Sequence, residues 1–138
     1  MKKGFTVTEV VVMVVVLAVL LGLTVPKFIT LAHKASEGNT KHKLVQVRSA
    51  IAAYYGEHQG MYPTDDLSSL VPTYIEAIPA VRVPGYAPNA HVSHGTYEQA
   101  FSKTGGWAYV SEPSDPRFGD FFVNVDENDS YGKPWASH

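Results

Sequence analysis

Cysteine is absent from the 138-residue chain, which excludes a disulfide framework, zinc ribbons, iron–sulfur clusters and thiol catalysis. A surplus of charge of either sign is missing as well: eleven Lys and Arg stand against thirteen Asp and Glu, a formal charge of −2. With a pI near 6.3 there is no electrostatic footprint for nucleic acid, and no nucleic-acid partner is expected. Charged residues make up 17% and hydrophobic ones 45%, so the chain is neither a disordered segment nor a charged tail. Its length suits one compact domain with a real core and is too short for two. Arrangements that carry catalysis are missing too. There is no Ser/His/Asp order, no phosphate-binding glycine loop and no pair of carboxylates in an apolar setting, so no catalytic residue is assigned and no enzyme is expected.

The most informative absence is local. From Val10 to Pro26 no residue is charged, and Val10 to Leu23 is an unbroken apolar run. Seventeen helical residues span roughly 26 Å, close to the ~30 Å of a bilayer's hydrocarbon core. Valine-rich sequence is a mediocre helix former in water, but in lipid the backbone has only itself to hydrogen-bond, so helix wins. A secretory signal peptide would end in a small-x-small cleavage site, whereas this run ends Leu23-Thr24-Val25-Pro26-Lys27. A plain single-pass anchor remains open. Its orientation is barely specified, with Lys2 and Lys3 on one side and Lys27 and Lys34 on the other.

Glu9 does not suit a plain anchor. A charge at mid-membrane costs about 2.5–3.5 kcal/mol and less near an end, so an acidic residue at the start of this helix calls for a cation. One source is the α-amine created if the chain is cut after Gly4, which would lie about one helical turn (~6 Å) from Glu9; the amine of a neighbouring copy is the more interesting partner. The bland alternative is a Glu9 that snorkels to the headgroups.

Gly4-Phe5-Thr6-Val7-Thr8-Glu9, followed by an apolar stretch and Pro26, resembles the class III signal of type IV pilins and type II secretion pseudopilins, whose pattern is Gly-Phe-Thr-Leu-Ile-Glu, then hydrophobic residues up to a helix proline. The distances from Phe5 to Glu9 and to Pro26 both match. Thr8 stands where that family usually has Ile or Leu, and the core is richer in valine. The resemblance covers about the first fifth of the chain. It implies cleavage by a prepilin peptidase between Gly4 and Phe5, N-methylation of Phe5, and pairing of Glu9 with the Phe5 amine of an adjacent subunit. It further implies assembly into a homo-oligomeric helical filament, with an inner-membrane platform, an ATPase and minor pilins or pseudopilins as partners. The subunit would wait in the inner membrane with its head in the periplasm and end in a periplasmic or extracellular filament.

Beyond Pro26 the pattern stays helical, because an internal proline kinks a helix more readily than it stops one. Residues 32–43 read as polar on every side. Leu44, Val47, Ile51, Tyr54 and His58 then recur at three and four spacing, an apolar stripe along one face. Gly56 and Gly60 are expected to end the helix. His33, His42 and His58 form no i, i+4 pair and are not expected to bind metal.

In the remainder, Thr64 is expected to cap a short helical segment opened by Asp65 and Asp66 and closed by Pro72. Residues 79–95 read as a long loop with a short strand at 80–83. Trp107–Val110 and Phe121–Val125 read as strands, with Trp107 and Tyr109 on one face and Phe121, Val123 and Val125 sharing another. Laid against the Leu44–Tyr54 stripe, they predict an α+β pilin fold in which a long N-terminal helix packs by its upper half on a small antiparallel sheet. The expected divisions are a leader at 1–4, a hydrophobic helix at 5–26, its amphipathic continuation at 27–60, and a head at 61–138.

Metal chemistry is thin. His91-x-x-His94 lies in a Pro/Gly-rich stretch with no third ligand near. Asp126-x-Asn128-x-Ser130 has the oxygen-ligand start of a calcium loop but Tyr131 where the turn glycine belongs. Some pseudopilins carry calcium in a C-terminal loop, so the resemblance keeps Asp126, Asn128 and Asp129 as a calcium candidate; otherwise no cofactor is expected. The alternative is a turn at 129–132 ahead of a packed Trp135. The resulting reading is a structural filament subunit for secretion, motility or adhesion; its rival is a non-polymerising, membrane-anchored periplasmic binding module.

Overall fold

The computed structural model describes residues 4–138. Most of the leader expected at residues 1–4 lies outside the described residues. The chain forms two compact units, Met1–Ala35 and Ser36–His138, and one helix, α1 (Val7–Glu57), contributes to both.

In the first unit α1 is exposed, and from Val10 to Pro26 it carries no charged side chain on any face. Thr24 Oγ1 donates to the Leu20 carbonyl at 2.6 Å and Thr30 Oγ1 to that of Pro26 at 3.1 Å, so these two hydroxyls are satisfied one turn back. Pro26 lies inside the helix, which does not stop there.

The second unit is a layered head. Its sheet has the order β1-β2-β3, formed by Val92–Gly95, Trp107–Val110 and Phe121–Val123. The β2–β3 pair is antiparallel, with Trp107 opposite Val123 and Tyr109 opposite Phe121. The β1–β2 pair is parallel, with Val92 opposite Trp107, so the sheet is mixed and the expectation of an antiparallel one is corrected. Parallel neighbours need a crossover rather than a tight hairpin. Here the segment 96–106, containing the short helix α2 (Tyr97–Ala100), supplies it. Residues 92–95, expected as loop, are the strand that this crossover makes possible.

Alternation along the strands sends side chains to two cores. Trp107, Tyr109, Phe121, Val123 and Val125 join Leu44, Val47 and Ile51 of α1 in the larger one, as the stripe and the strand faces predicted. Tyr54 packs at its edge, while His58 is exposed and its ring stacks on Tyr54 at 3.7 Å. Ala108, Val110 and Phe122 point the other way and meet Ala100, with Tyr97 and Phe101 packed alongside. With a helix on each face, β2 and β3 are buried throughout.

Three local expectations shift. Gly56 lies inside α1, and the helix is closed by Gln59 and Gly60, both at positive φ, with the Gly60 N–H reaching the Tyr55 carbonyl. The short helical turn is 3₁₀, Ser68–Leu70, and is organised by Asp65 rather than Thr64. The Asp65 carboxylate accepts the N–H groups of Leu67 and Ser69 and both serine hydroxyls. The strand expected at 80–83 contracts to one bridge between Val81 and Asn89, although Val81 and Val83 are both core residues.

Candidate assembly segment

The start of α1 follows directly from its sequence. Val7 is the first helical residue, so Thr6 occupies the N-cap and Glu9 the third helical position. Glu9 Oε2 accepts the Thr6 N–H at 2.8 Å and the Thr6 hydroxyl at 2.8 Å, while Thr6 Oγ1 lies 3.3 Å from the Glu9 N–H. This reciprocal arrangement satisfies helix-end N–H donors that would otherwise lack partners. Glu9 therefore has partners within its own chain, through a Thr-x-x-Glu signal that reading it as a lone carboxylate passed over. The carboxylate stays exposed, as do Gly4 and Phe5 ahead of it.

Above Glu9 the helix exposes an apolar surface. Among the described residues, α1 is the one helix long and apolar enough to cross a membrane, and none of its most apolar stretch is buried. Val10, Val14, Leu17, Leu21, Phe28 and Leu31 are each about half exposed or more. Monomeric soluble proteins rarely expose contiguous apolar patches of more than a few hundred Å². This surface needs lipid or protein around it.

The polar stretch at 32–43 is not solvated on every side. Glu37 and Thr40 are buried. Every charged side chain of α1 beyond Ser36 reaches the head: Glu37 accepts from Ser130, Lys41 donates to Asp129, Lys43 to the Ala80 carbonyl, Arg48 to the Phe121 carbonyl, and Glu57 accepts from the Tyr74 hydroxyl. Thr40 adds a bond to the Arg82 carbonyl at 2.7 Å. Burial pulls the Arg48 guanidinium below its ordinary value, a shift opposed by the nearby Asp120 charge. The spacing of Glu37 and Thr40, in line with Leu44 and Val47 at three and four residues, was the available sequence signal for this inner face.

The calcium candidates are placed among cations of the chain itself. Asp126 pairs with Lys103 at 2.6 Å. Asp129, whose side chain is 1% exposed, meets Lys41 at 2.6 Å and His138 at 3.0 Å. It also accepts the N–H groups of Tyr131 and Lys133. The Lys41 ammonium first, then these amides and His138, hold its carboxyl well below the usual carboxylate range. Asn128 is exposed, and its backbone bridges to Pro134. His94 lies on β1, and both His91 and His94 are exposed. Among the described residues no group of three His, Cys, Asp or Glu side chains could hold a metal. Trp135 is fully buried.

Over 64 residues, 46% of its length, the chain is 34% identical to the type IV narrow pilus major component PilA5 of Thermus thermophilus, of which the match covers 54%. The chain thus spans about half the length of the curated relative it matches. No protein-family model and no solved structure matches it. The likeness to type IV pilins read from the N-terminus is borne out by this relative, which is a structural pilus component rather than an enzyme.

Proposed function

We propose that the chain is the structural subunit of a type IV pilin-like filament, polymerised through α1. The exposed apolar surface of α1, headed by the acidic Glu9, carries this reading. Before assembly, lipid would cover the helix, with the head on the periplasmic side. In the filament the helices of neighbouring copies would replace the lipid, which conserves apolar burial while adding helix–helix packing. In this reading a prepilin peptidase removes Met1–Gly4, Phe5 is N-methylated, and Glu9 receives the Phe5 amine of an adjacent copy. The bond from Thr6 holds the carboxylate ready in the monomer, and the incoming ammonium adds a charge-assisted partner. Pro26 marks where the closely packed part of the helix gives way to the part that carries the head. The pilus relative supports a pilin over a secretion pseudopilin. An assembly platform, its ATPase and minor pilins would be the further partners.

The test is the intact mass of protein extracted from membranes and from sheared filaments. Loss of Met1–Gly4 with gain of one methyl group is expected in both fractions. An intact N-terminus on polymerised protein defeats the proposal, and an intact N-terminus with no filaments favours the membrane-anchored binding module.

A further inference from the structure

The segment from Asp126 to Ser130 carries a chemistry distinct from metal binding. Asn128-Asp129-Ser130 is an Asn-x-Ser acceptor sequence for N-linked glycosylation, with x other than proline. Of the four asparagines, Asn39, Asn89, Asn124 and Asn128, this is the one with a hydroxyl residue two places on. Asp126, two residues ahead, completes the longer acidic form of the same acceptor sequence. The fold separates Asn128 from its neighbour Asn124. Asn124 is fully buried, and its amide is spent on the Ser93 and Ser102 hydroxyls and the Lys103 N–H. Asn128 is exposed at the base of a surface turn, where Asp129 and Lys133 pair through their backbones at 2.8 Å. The segment's polar ties run through the Asp126, Asp129 and Ser130 side chains, to Lys103, Lys41 and Glu37, and through backbone groups, so a substituent on the Asn128 side chain displaces none of them.

We propose that Asn128 is a modification site that accepts an N-linked glycan from a lipid pyrophosphate-linked sugar donor. In that transfer the Asn128 Nδ2 bonds to the anomeric carbon of the donor sugar as the bond from that carbon to the pyrophosphate oxygen breaks. The lipid pyrophosphate leaves with the electron pair, and the amide proton passes to a base of the transferase. The order of events follows from the loop. The Ser130 hydroxyl is tied to Glu37 at 2.5 Å and Asp129 is locked to Lys41, so a transferase that must read the hydroxyl meets it before the loop docks on α1. The glycan is added as the head emerges and remains accommodated after docking. The proposal rests on the filament-subunit reading only in requiring the head to leave the cytoplasm.

Peptide mapping by mass spectrometry of the chain purified from its own cells tests this. The peptide containing Asn128 is expected to carry a sugar mass increment with sugar-derived fragment ions. Asn128→Gln and Ser130→Ala should yield the bare peptide, and Ser130→Thr should retain the increment. Circular dichroism should show that Asn128→Gln folds as the parent does. A bare Asn128 in every molecule, or an increment that survives Asn128→Gln, overturns the proposal. The same spectra report the N-terminus. A bare Asn128 on filament protein lacking Met1–Gly4 defeats the glycan alone, whereas a bare Asn128 with an intact leader on filament protein defeats the subunit reading as well.

Discussion

The Glu37 carboxylate on α1 accepts the backbone N–H of Ser130 at 3.1 and 3.2 Å and the Ser130 hydroxyl at 2.5 Å, across 93 residues of sequence. Glu37 is 5% exposed, so one buried side chain docks the final loop on the helix. In a chain without cysteine, this contact and the neighbouring Lys41–Asp129 pair hold the loop on the helix noncovalently. Glu37→Ala leaves the Ser130 donors without their acceptor and should cost about 1–3 kcal/mol. Thermal or denaturant unfolding of the detergent-solubilised chain measures the loss, and protease cleavage within 126–138 should accelerate.

The Lys41–Asp129 pair makes stability depend on pH in a stated direction. Asp129 is held below its unfolded value, ordinarily ~3.9, so its contribution is complete above about pH 4 and is lost as the pH falls through the folded value. Lys41→Met removes the largest cause of that depression. Melting curves should place the variant below the parent at pH 7, and the gap should narrow steadily below pH 4. A gap that stays constant across that range would refute the pairing as the source.

Leu44 and Val45 are adjacent in sequence and opposite in environment, 2% and 60% exposed. Leu44→Ala opens a cavity against the sheet and should destabilise the head by about 2–5 kcal/mol. Val45→Ala should change stability by no more than about 0.5 kcal/mol. Denaturant titrations of the two variants check the assignment of the inner helix face.

Gly106 has φ +78°, and a Cβ there would meet the His91 carbonyl oxygen at 2.6 Å. Gly106→Ala therefore combines a left-handed backbone with a backbone collision where the crossover enters β2. It should cost more than the roughly 1 kcal/mol of a left-handed alanine alone, and hydrogen exchange should quicken first in β1, whose parallel pairing depends on that approach.

Glu9 has a part in the helix end and, by the proposed function, a part in assembly. Glu9→Gln keeps an acceptor for Thr6 but removes the charge. It should preserve helix content by circular dichroism while reducing filament yield at least tenfold by electron microscopy. Thr6→Ala removes the cap and should fray the first turn, with a smaller effect on assembly. Normal filaments from Glu9→Gln would separate the carboxylate's charge from polymerisation.

The larger core was legible because it repeats with simple periods. Leu44, Val47 and Ile51 mark a helix face, and Trp107, Tyr109, Phe121, Val123 and Val125 mark strand faces. A period of three and four or of two reports which residues point together, whatever they eventually touch. The parallel strand was not legible. Val92–Gly95 follows a Pro/Gly-rich stretch, and its partner is chosen by a crossover whose short helix, Tyr97–Ala100, has too few residues to show a period. The surroundings of the calcium candidates were not legible for a related reason. Residue type cannot reveal that Lys41 and Lys103 arrive from elsewhere to meet Asp129 and Asp126.

The sequence alone determined the character of the stretch from Val10 to Pro26, since a long uncharged run satisfies its backbone only as a helix and hides its side chains only in lipid or among other apolar surfaces. It also determined that Glu9 stands at the head of that run and that a helix would lie on a sheet. Tertiary structure decided the rest: the mixed order of the strands, the second core under α2, and the inward turn of Glu37, Lys41 and Arg48. Those outcomes depend on which distant groups meet after the chain has closed on itself. A charged side chain beside solvent and one beside a buried partner have the same letter in the sequence and opposite consequences for stability.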